Sequence, residues 1–111
     1  MKDPSPRTEL VLRALAEPRR VDILLLVRRR ELPSGRIASN FKTTRSAISQ
    51  HLRVLTKAGL LSERRRGTSR LYSIRSKGFA QLRNLLDTFW QDGLAKLKSE
   101  AEKHSRSKAG R

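Results

Sequence analysis

Apolar residues recur at helical spacing along most of the chain. Between Thr43 and Gly59, Ala47, Ile48, Leu52, Leu55 and Ala58 fall on one face and Arg45, Ser46, Ser49, Gln50 and Arg53 fall elsewhere, which predicts an amphipathic helix with a small, polar, basic outer side. Thr43 or Thr44 supplies its N-cap, and Gly59 its stop. Upstream, Thr8 caps a short helix carrying Leu10, Val11, Ala14 and Leu15. Glu17-Pro18 restarts the chain, since proline suits the first helical position. From Arg19 to Arg30 the stripe Val21, Leu24, Leu25 and Val27 is widened by Ile23 and Leu26, so this helix belongs to the core. For its terminal Arg28-Arg29-Arg30 the negative end of the helix dipole and solvation are explanation enough, with contact to a DNA backbone as the alternative. Glu31 to Gly35 breaks the pattern, and Arg36 to Phe41 forms a short helix with Ile37, Ala38 and Phe41 inward. The turn Lys42-Thr43-Thr44 then leads into this amphipathic helix, making a helix-turn-helix, a motif whose second helix enters a DNA groove; taken alone, its polar face reads equally as a solvated surface.

After Gly59 the pattern changes. Leu60 to Arg66 and Arg70 to Ile74 flank Gly67-Thr68-Ser69, which predicts a β-hairpin. Arg64, Arg65, Arg66 and Arg70 crowd its tip, where they lie along phosphates or in a minor groove as a wing. The alternative is a sheet edge guarded by cations. Four like charges repel one another, and such a concentration favours the phosphate footprint. Ser76 caps a last helix with Phe79, Leu82, Leu85, Leu86, Phe89, Trp90, Leu94 and Leu97 as its apolar set. That stripe is longer than the preceding elements can cover, so a second copy of the chain is expected against it.

The 111 residues carry 26 Lys plus Arg against 10 Asp plus Glu, a net charge of +16. A polyanion is the expected partner, and nucleic acid is favoured over a membrane because no basic segment has a lipid-inserting face. One domain is expected over residues 8–102, preceded by a disordered arm (1–7, with Pro4 and Pro6) and followed by a basic disordered tail (103–111). The absence of cysteine excludes disulfides and thiolate metal sites. No apolar signal core or membrane-length run is present, so the cytoplasm is the expected location. No glycine-rich phosphate loop, metal-ligand cluster or nucleophile with a positioned base argues for an enzyme or a cofactor. His51 leans toward the packed side of its helix and is read as structural.

Leu15-Ala16-Glu17-Pro18-Arg19-Arg20, then Ser46-Ala47-Ile48-Ser49-Gln50-His51-Leu52-Arg53-Val54-Leu55, then Ala58-Gly59-Leu60-Leu61 and the wing from Arg66-Gly67 to Tyr72 occur in that order. Together they resemble the ArsR, or arsenic-repressor-like, winged helix-turn-helix regulators over about residues 8 to 102. The resemblance implies a mainly α fold with a small β-hairpin, dimeric through its first and last helices, that reads an imperfect palindrome and usually represses promoters. Carried over by position, Thr44, Arg45, Ser46, Ser49, Gln50 and Arg53 would face double-stranded DNA, and Arg64, Arg65, Arg66 and Arg70 would hold its backbone. Leu10, Val11, Leu86, Phe89, Trp90, Leu94 and Leu97 would form the homodimer interface. Many metal-sensing members have a Cys-x-Cys pair where this chain has Pro33-Ser34-Gly35. Asp87 and Asp92 have only His104 as a nearby imidazole, a poor zinc set, so no metal site is expected. An effector, whether a hydrophobic ligand between the last helices or a protein partner, stays open. The competing reading is an architectural protein that coats DNA without sequence preference, for which the net charge is sufficient.

Overall fold

Among the described residues the helical spacings resolve into five helices, and two extended segments and a short third one into a small sheet. A computed structural model describes residues 5–109, with side chains up to Lys103. The elements are α1 (Pro6–Leu15), α2 (Pro18–Val27), β1 (Leu32–Pro33), α3 (Ser34–Ala38), α4 (Arg45–Lys57), β2 (Leu61–Arg66), β3 (Ser69–Ile74), a 3-10 turn (Ser76–Phe79) and α5 (Ala80–Ala109). The chain divides into two compact units, one reaching Ala80 and the other starting at Gln81.

In the first unit the core is made where the apolar stripes meet. Val11 and Ala14 from α1, Ile23 and Val27 from α2, Ile37 from α3, and Ile48, Leu52 and Leu55 from α4 are all buried, as are Leu60 and Leu61 beyond α4. The sheet is antiparallel with order β1-β3-β2. β2 and β3 pair from Leu61↔Ile74 to Arg66↔Ser69, which leaves Gly67 and Thr68 as the hairpin turn; Gly67 has φ +61, a conformation that favours glycine.

α4 has the ends its sequence announces. The Thr44 hydroxyl accepts from the Ala47 N–H at 3.0 Å. At the other end the Leu60 N–H donates to the Leu55 carbonyl and the Gly59 N–H to the Thr56 carbonyl, both at 3.0 Å, with Gly59 at φ +81. This paired pattern is a Schellman motif, and Leu60 and Leu55, the positions between which such a motif commonly packs, are both fully buried.

Several boundaries depart from the sequence expectation. α1 begins at Pro6, because Ser5 and not Thr8 is the cap: its hydroxyl accepts from the Thr8 N–H at 3.2 Å. Pro6 therefore marks the first helical position, where its missing N–H costs nothing. Residues 1–4 of the expected arm lie outside the described residues. α2 stops at Val27, and Arg28 turns back to donate to the Leu25 carbonyl at 2.6 Å, satisfying one of the orphan acceptors of the last turn. The segment read as a break contains β1, paired as Leu32↔Tyr72 and Pro33↔Leu71. α3 begins at Ser34 and ends at Ala38, earlier than expected. Ser76 opens a 3-10 turn, and α5 follows it.

In the second unit α5 is a single helix whose backbone runs to Ala109. It therefore crosses most of the segment expected as tail, and residues 110 and 111 lie outside the described residues. Leu86, Phe89, Trp90, Leu94 and Leu97 are exposed along it, while Leu82 and Leu85 are half-buried.

Candidate nucleic-acid interface

The helix-turn-helix is held by local bonds that leave its outer face free. The connection from α3 to α4 is fixed by the Ser39 hydroxyl and the Asn40 amide, each donating to the Arg36 carbonyl at 2.8 Å. Phe41 anchors the turn to α2, with the Arg19 guanidinium 5.1 Å from its ring centroid, a cation–π contact worth about 0.5–1 kcal/mol at an exposed site.

On α4, Arg45, Ser46, Ser49, Gln50 and Arg53 are all exposed. At 1.5 Å rise per residue the face from Arg45 to Arg53 is about 12 Å long, close to the width of a B-DNA major groove. Thr44 is exposed just before it, although its hydroxyl is engaged as the cap. The opposite face of the helix is fully used in the core, so α4 cannot rotate without losing Ile48, Leu52 and Leu55.

Behind this face lies a cross-helix contact that composition did not announce. Arg20 donates from Nε to the Ala14 carbonyl at 2.7 Å and from Nη2 to the Arg13 carbonyl at 3.1 Å, closing the C-terminal end of α1. Its Nη1 stands 3.4 Å from His51 Nδ1, where only an unprotonated nitrogen can accept. Burial lowers the His51 pKa, as do the charges of Arg20 and Arg19, while Glu17 opposes them. His51 is thus a structural residue joining α1, α2 and α4.

A titration consequence follows from that shift. The unfolded chain binds a proton at His51 near pH 6.5, and the folded chain does so only at lower pH. The stabilising contribution is complete above about pH 6.5 and declines as pH falls through the folded value. Urea midpoints should therefore drop between about pH 7 and 5, and His51→Gln should flatten that part of the profile; an unchanged slope in the variant would place the titrating group elsewhere.

The wing is the β2–β3 hairpin, and Ser62 through Arg70 are exposed. Arg65 stands opposite Arg70 and Arg66 opposite Ser69. Two of its arginines have acidic partners: Arg64 makes a bidentate pair with Glu31, at 2.7 and 2.6 Å, and Arg70 lies 3.2 Å from Glu63. The hydrogen bond from Arg64 holds the Glu31 carboxyl below its usual pKa. Between α4 and the sheet runs a groove of about 500 Å³ lined by Ser49, Arg53 and Lys57 on one side and Glu63, Arg70 and Tyr72 on the other. Burial raises the Tyr72 pKa and the Glu63 charge adds to it, with Arg70 opposing, so its hydroxyl stays a neutral donor at pH 7.

A helix-turn-helix followed directly by an arginine-tipped hairpin is the arrangement found in known regulators. The family model described as "Bacterial regulatory protein, arsR family" matches residues 17–63. Over 81 residues the chain is 40% identical to the HTH-type transcriptional regulator Rv2034 of Mycobacterium tuberculosis, covering 73% of this chain and 76% of that protein. The chain belongs to the ArsR family. A crystal structure of a possible transcriptional regulator for arsenical resistance shares the fold at TM-score 0.68 with 45% identity, covering 80% of this chain and 93% of that one. The homodimeric winged helix-turn-helix DNA-binding domain Mb0332 of Mycobacterium bovis, solved by NMR, is similar at TM-score 0.62 and 31% identity over 79% and 82% of the two chains.

Other expected positions in this ArsR-family chain resolve as follows. Val11 is a correction: it is completely buried in the protomer, because the inward face of α1 falls on Thr8, Val11 and Ala14, and it has no surface left for a partner. Leu10 and Leu12 are the exposed apolar residues of α1. Asp87 lies 3.9 Å from Arg83. Among the described residues no three of His, Cys, Asp and Glu converge as a metal site, and no helix is long and apolar enough to cross a membrane. The side chain of His104 lies outside the described residues. Sequence reasoning missed Arg20, Glu31 and Glu63, although each is charged and interrupts an otherwise regular pattern.

Proposed function

We propose that the chain acts as a homodimeric transcriptional repressor in the cytoplasm, each subunit placing α4 in a major groove of an inverted repeat. The observation that carries this reading is the free face of α4 beside the wing. Arg45, Ser46, Ser49, Gln50 and Arg53 are exposed together, and no hydrogen bond within the described chain engages their side chains. Ser46 and Ser49 are small enough for close approach, Gln50 pairs with an adenine edge, and Arg45 and Arg53 reach guanine or phosphate. Thr44 at the helix start and the wing, which carries Arg64, Arg65, Arg66 and Arg70, complete the footprint on the backbone. A bound dimer represses by occluding the promoter.

The second subunit is supported by the exposed apolar stripe of α5, by Leu10 on α1, and by the homodimeric state of the Mycobacterium bovis relative. Two-fold symmetry then demands half-sites one helical turn apart, about 34–36 Å between the reading helices. The net charge of +16 favours the architectural alternative, which predicts tight binding without sequence preference.

Selection of bound duplexes from a random pool at about 0.15 M salt separates the two. An enriched inverted repeat is expected. Tight binding without enrichment would return the face of α4 to the status of a solvated surface. On the selected site, Gln50→Ala should lose about 1–3 kcal/mol of base discrimination, seen as a flattened preference at one position of each half-site. A uniform loss on every sequence would make Gln50 a backbone contact.

A further inference from the structure

From Ile23 to Leu86 the chain holds fifteen Lys and Arg and two acids, Glu31 and Glu63. Both acids sit on wing arginines. Glu31 precedes β1, yet its two carboxylate oxygens accept from Arg64 Nε and Nη2 at 2.7 and 2.6 Å, across 33 positions of sequence. Glu63 reaches Arg70 on the neighbouring strand at 3.2 Å. Strand alternation puts Glu63 on the same face of β2 as Arg65, and Arg70 lies across from Arg65. Arg65 and Arg66, nearest the turn, make no ion pair in the described chain.

We propose that Glu31 and Glu63 are built-in counter-ions that withhold Arg64 and Arg70 from DNA phosphates, so that the wing grips the backbone with Arg65 and Arg66 alone. The inference rests on the DNA-binding reading above. A guanidinium in a bidentate carboxylate pair must give up charge-assisted bonds before it meets a phosphate, and the carboxylate itself repels the phosphate. Each phosphate contact contributes about 0.9 to the slope of log affinity against log salt, which is about fivefold in affinity at 0.15 M salt. That contribution is indifferent to sequence, and a genome offers a vast excess of non-specific sites. On a chain with a net charge of +16, two acids at the wing hold down binding to the wrong DNA while leaving the reading face of α4 untouched.

The test uses the full chain and a random-sequence duplex, with affinity measured from about 0.05 to 0.3 M salt. Glu31→Gln and Glu63→Gln keep the side-chain shape and remove the charge. Each is expected to steepen the salt slope by up to about one and to tighten binding about fivefold at 0.15 M, with the double variant approaching about 25-fold. In the otherwise unaltered chain, Arg64→Ala and Arg70→Ala should leave the slope nearly unchanged, whereas Arg65→Ala and Arg66→Ala should each flatten it. Unchanged or weaker binding by the glutamine variants would overturn the proposal, the weaker result showing that the acids position the wing. A slope flattened as much by Arg64→Ala as by Arg65→Ala would overturn it as well, and this comparison stands even where a glutamine variant fails to fold. Failure of the unaltered protein to bind duplex DNA would be a different result, removing the DNA-binding reading itself and this inference with it.

Discussion

Replacing Gly78 by alanine is expected to cost about 3 kcal/mol of stability, at the upper end of ordinary overpacking. A Cβ there would stand 1.8 Å from the Gly59 carbonyl oxygen, 2.6 Å from its carbon and 3.3 Å from the Leu60 Cα. All three are backbone atoms, so no side chain can swing away to make room. The Gly59 carbonyl is itself held in place, because the Schellman bonds to Leu55 and Thr56 fix the chain on either side of it. Relief requires the 3-10 turn to separate from the end of α4, which opens the core beside Leu60. For a unit of this size the melting temperature should fall by roughly 10–20 °C. Gly67→Ala is the matching control: a Cβ there meets nothing within 4 Å, but φ is +61, so the cost is conformational and about 1–2 kcal/mol. Thermal melts at equal protein concentration order the two variants. A Gly78 variant that melts no lower than the Gly67 variant would show that the two backbone segments do not approach so closely.

Changing Trp90 to aspartate is expected to disperse the proposed dimer and to weaken binding to a two-half-site operator by about 10²–10⁴, the effective-concentration advantage lost when two modules are no longer joined. Within the single chain Trp90 is 66% exposed and Phe89 64%, with Leu86, Leu94 and Leu97 on the same helix also exposed. Aromatic rings bury about 150–250 Å² each when covered, so these residues hold much of the interface area that α5 can offer. A carboxylate among them would be desolvated without a partner, a penalty of several kcal/mol. The helix itself should persist, since the substituted position is on the surface of the protomer. Sedimentation equilibrium reads the oligomeric state, circular dichroism the helix, and titration with the selected operator the affinity. A variant that sediments as a dimer would remove the Trp90 stripe from the interface.

These two residues differ in how legible they are. The α5 stripe is a local pattern, because exposure follows from apolar residues continuing at helical spacing beyond what the rest of the chain can cover. Gly78 gives no such sign, since its constraint comes from Gly59, nineteen positions earlier. The same division runs through the whole molecule. The sequence by itself determined α4, because its cap is made by Thr44 to the N–H three residues on and its stop by the Gly59 and Leu60 N–H groups to carbonyls within five residues. It also determined the hairpin, whose turn needs only a glycine between two extended segments, and the restart at Pro18.

What only the tertiary structure decided is everything whose partner is distant in the chain. β1 is two residues long and one is proline, so it has no alternation to read; it is a strand only because Leu71 and Tyr72 arrive beside it. The family resemblance puts both Leu10 and Val11 at the interface, and packing alone decides that Leu10 faces out and Val11 in. Arg20 and His51 become a joint between three helices only once α1 and α4 converge. The wing arginines read as four equivalent charges, until folding brings Glu31 to Arg64 and Glu63 to Arg70 and leaves two of them paired. Caps, turns and apolar periodicity act within a few residues and are written locally, whereas charge pairing and burial depend on which distant segments the fold makes neighbours.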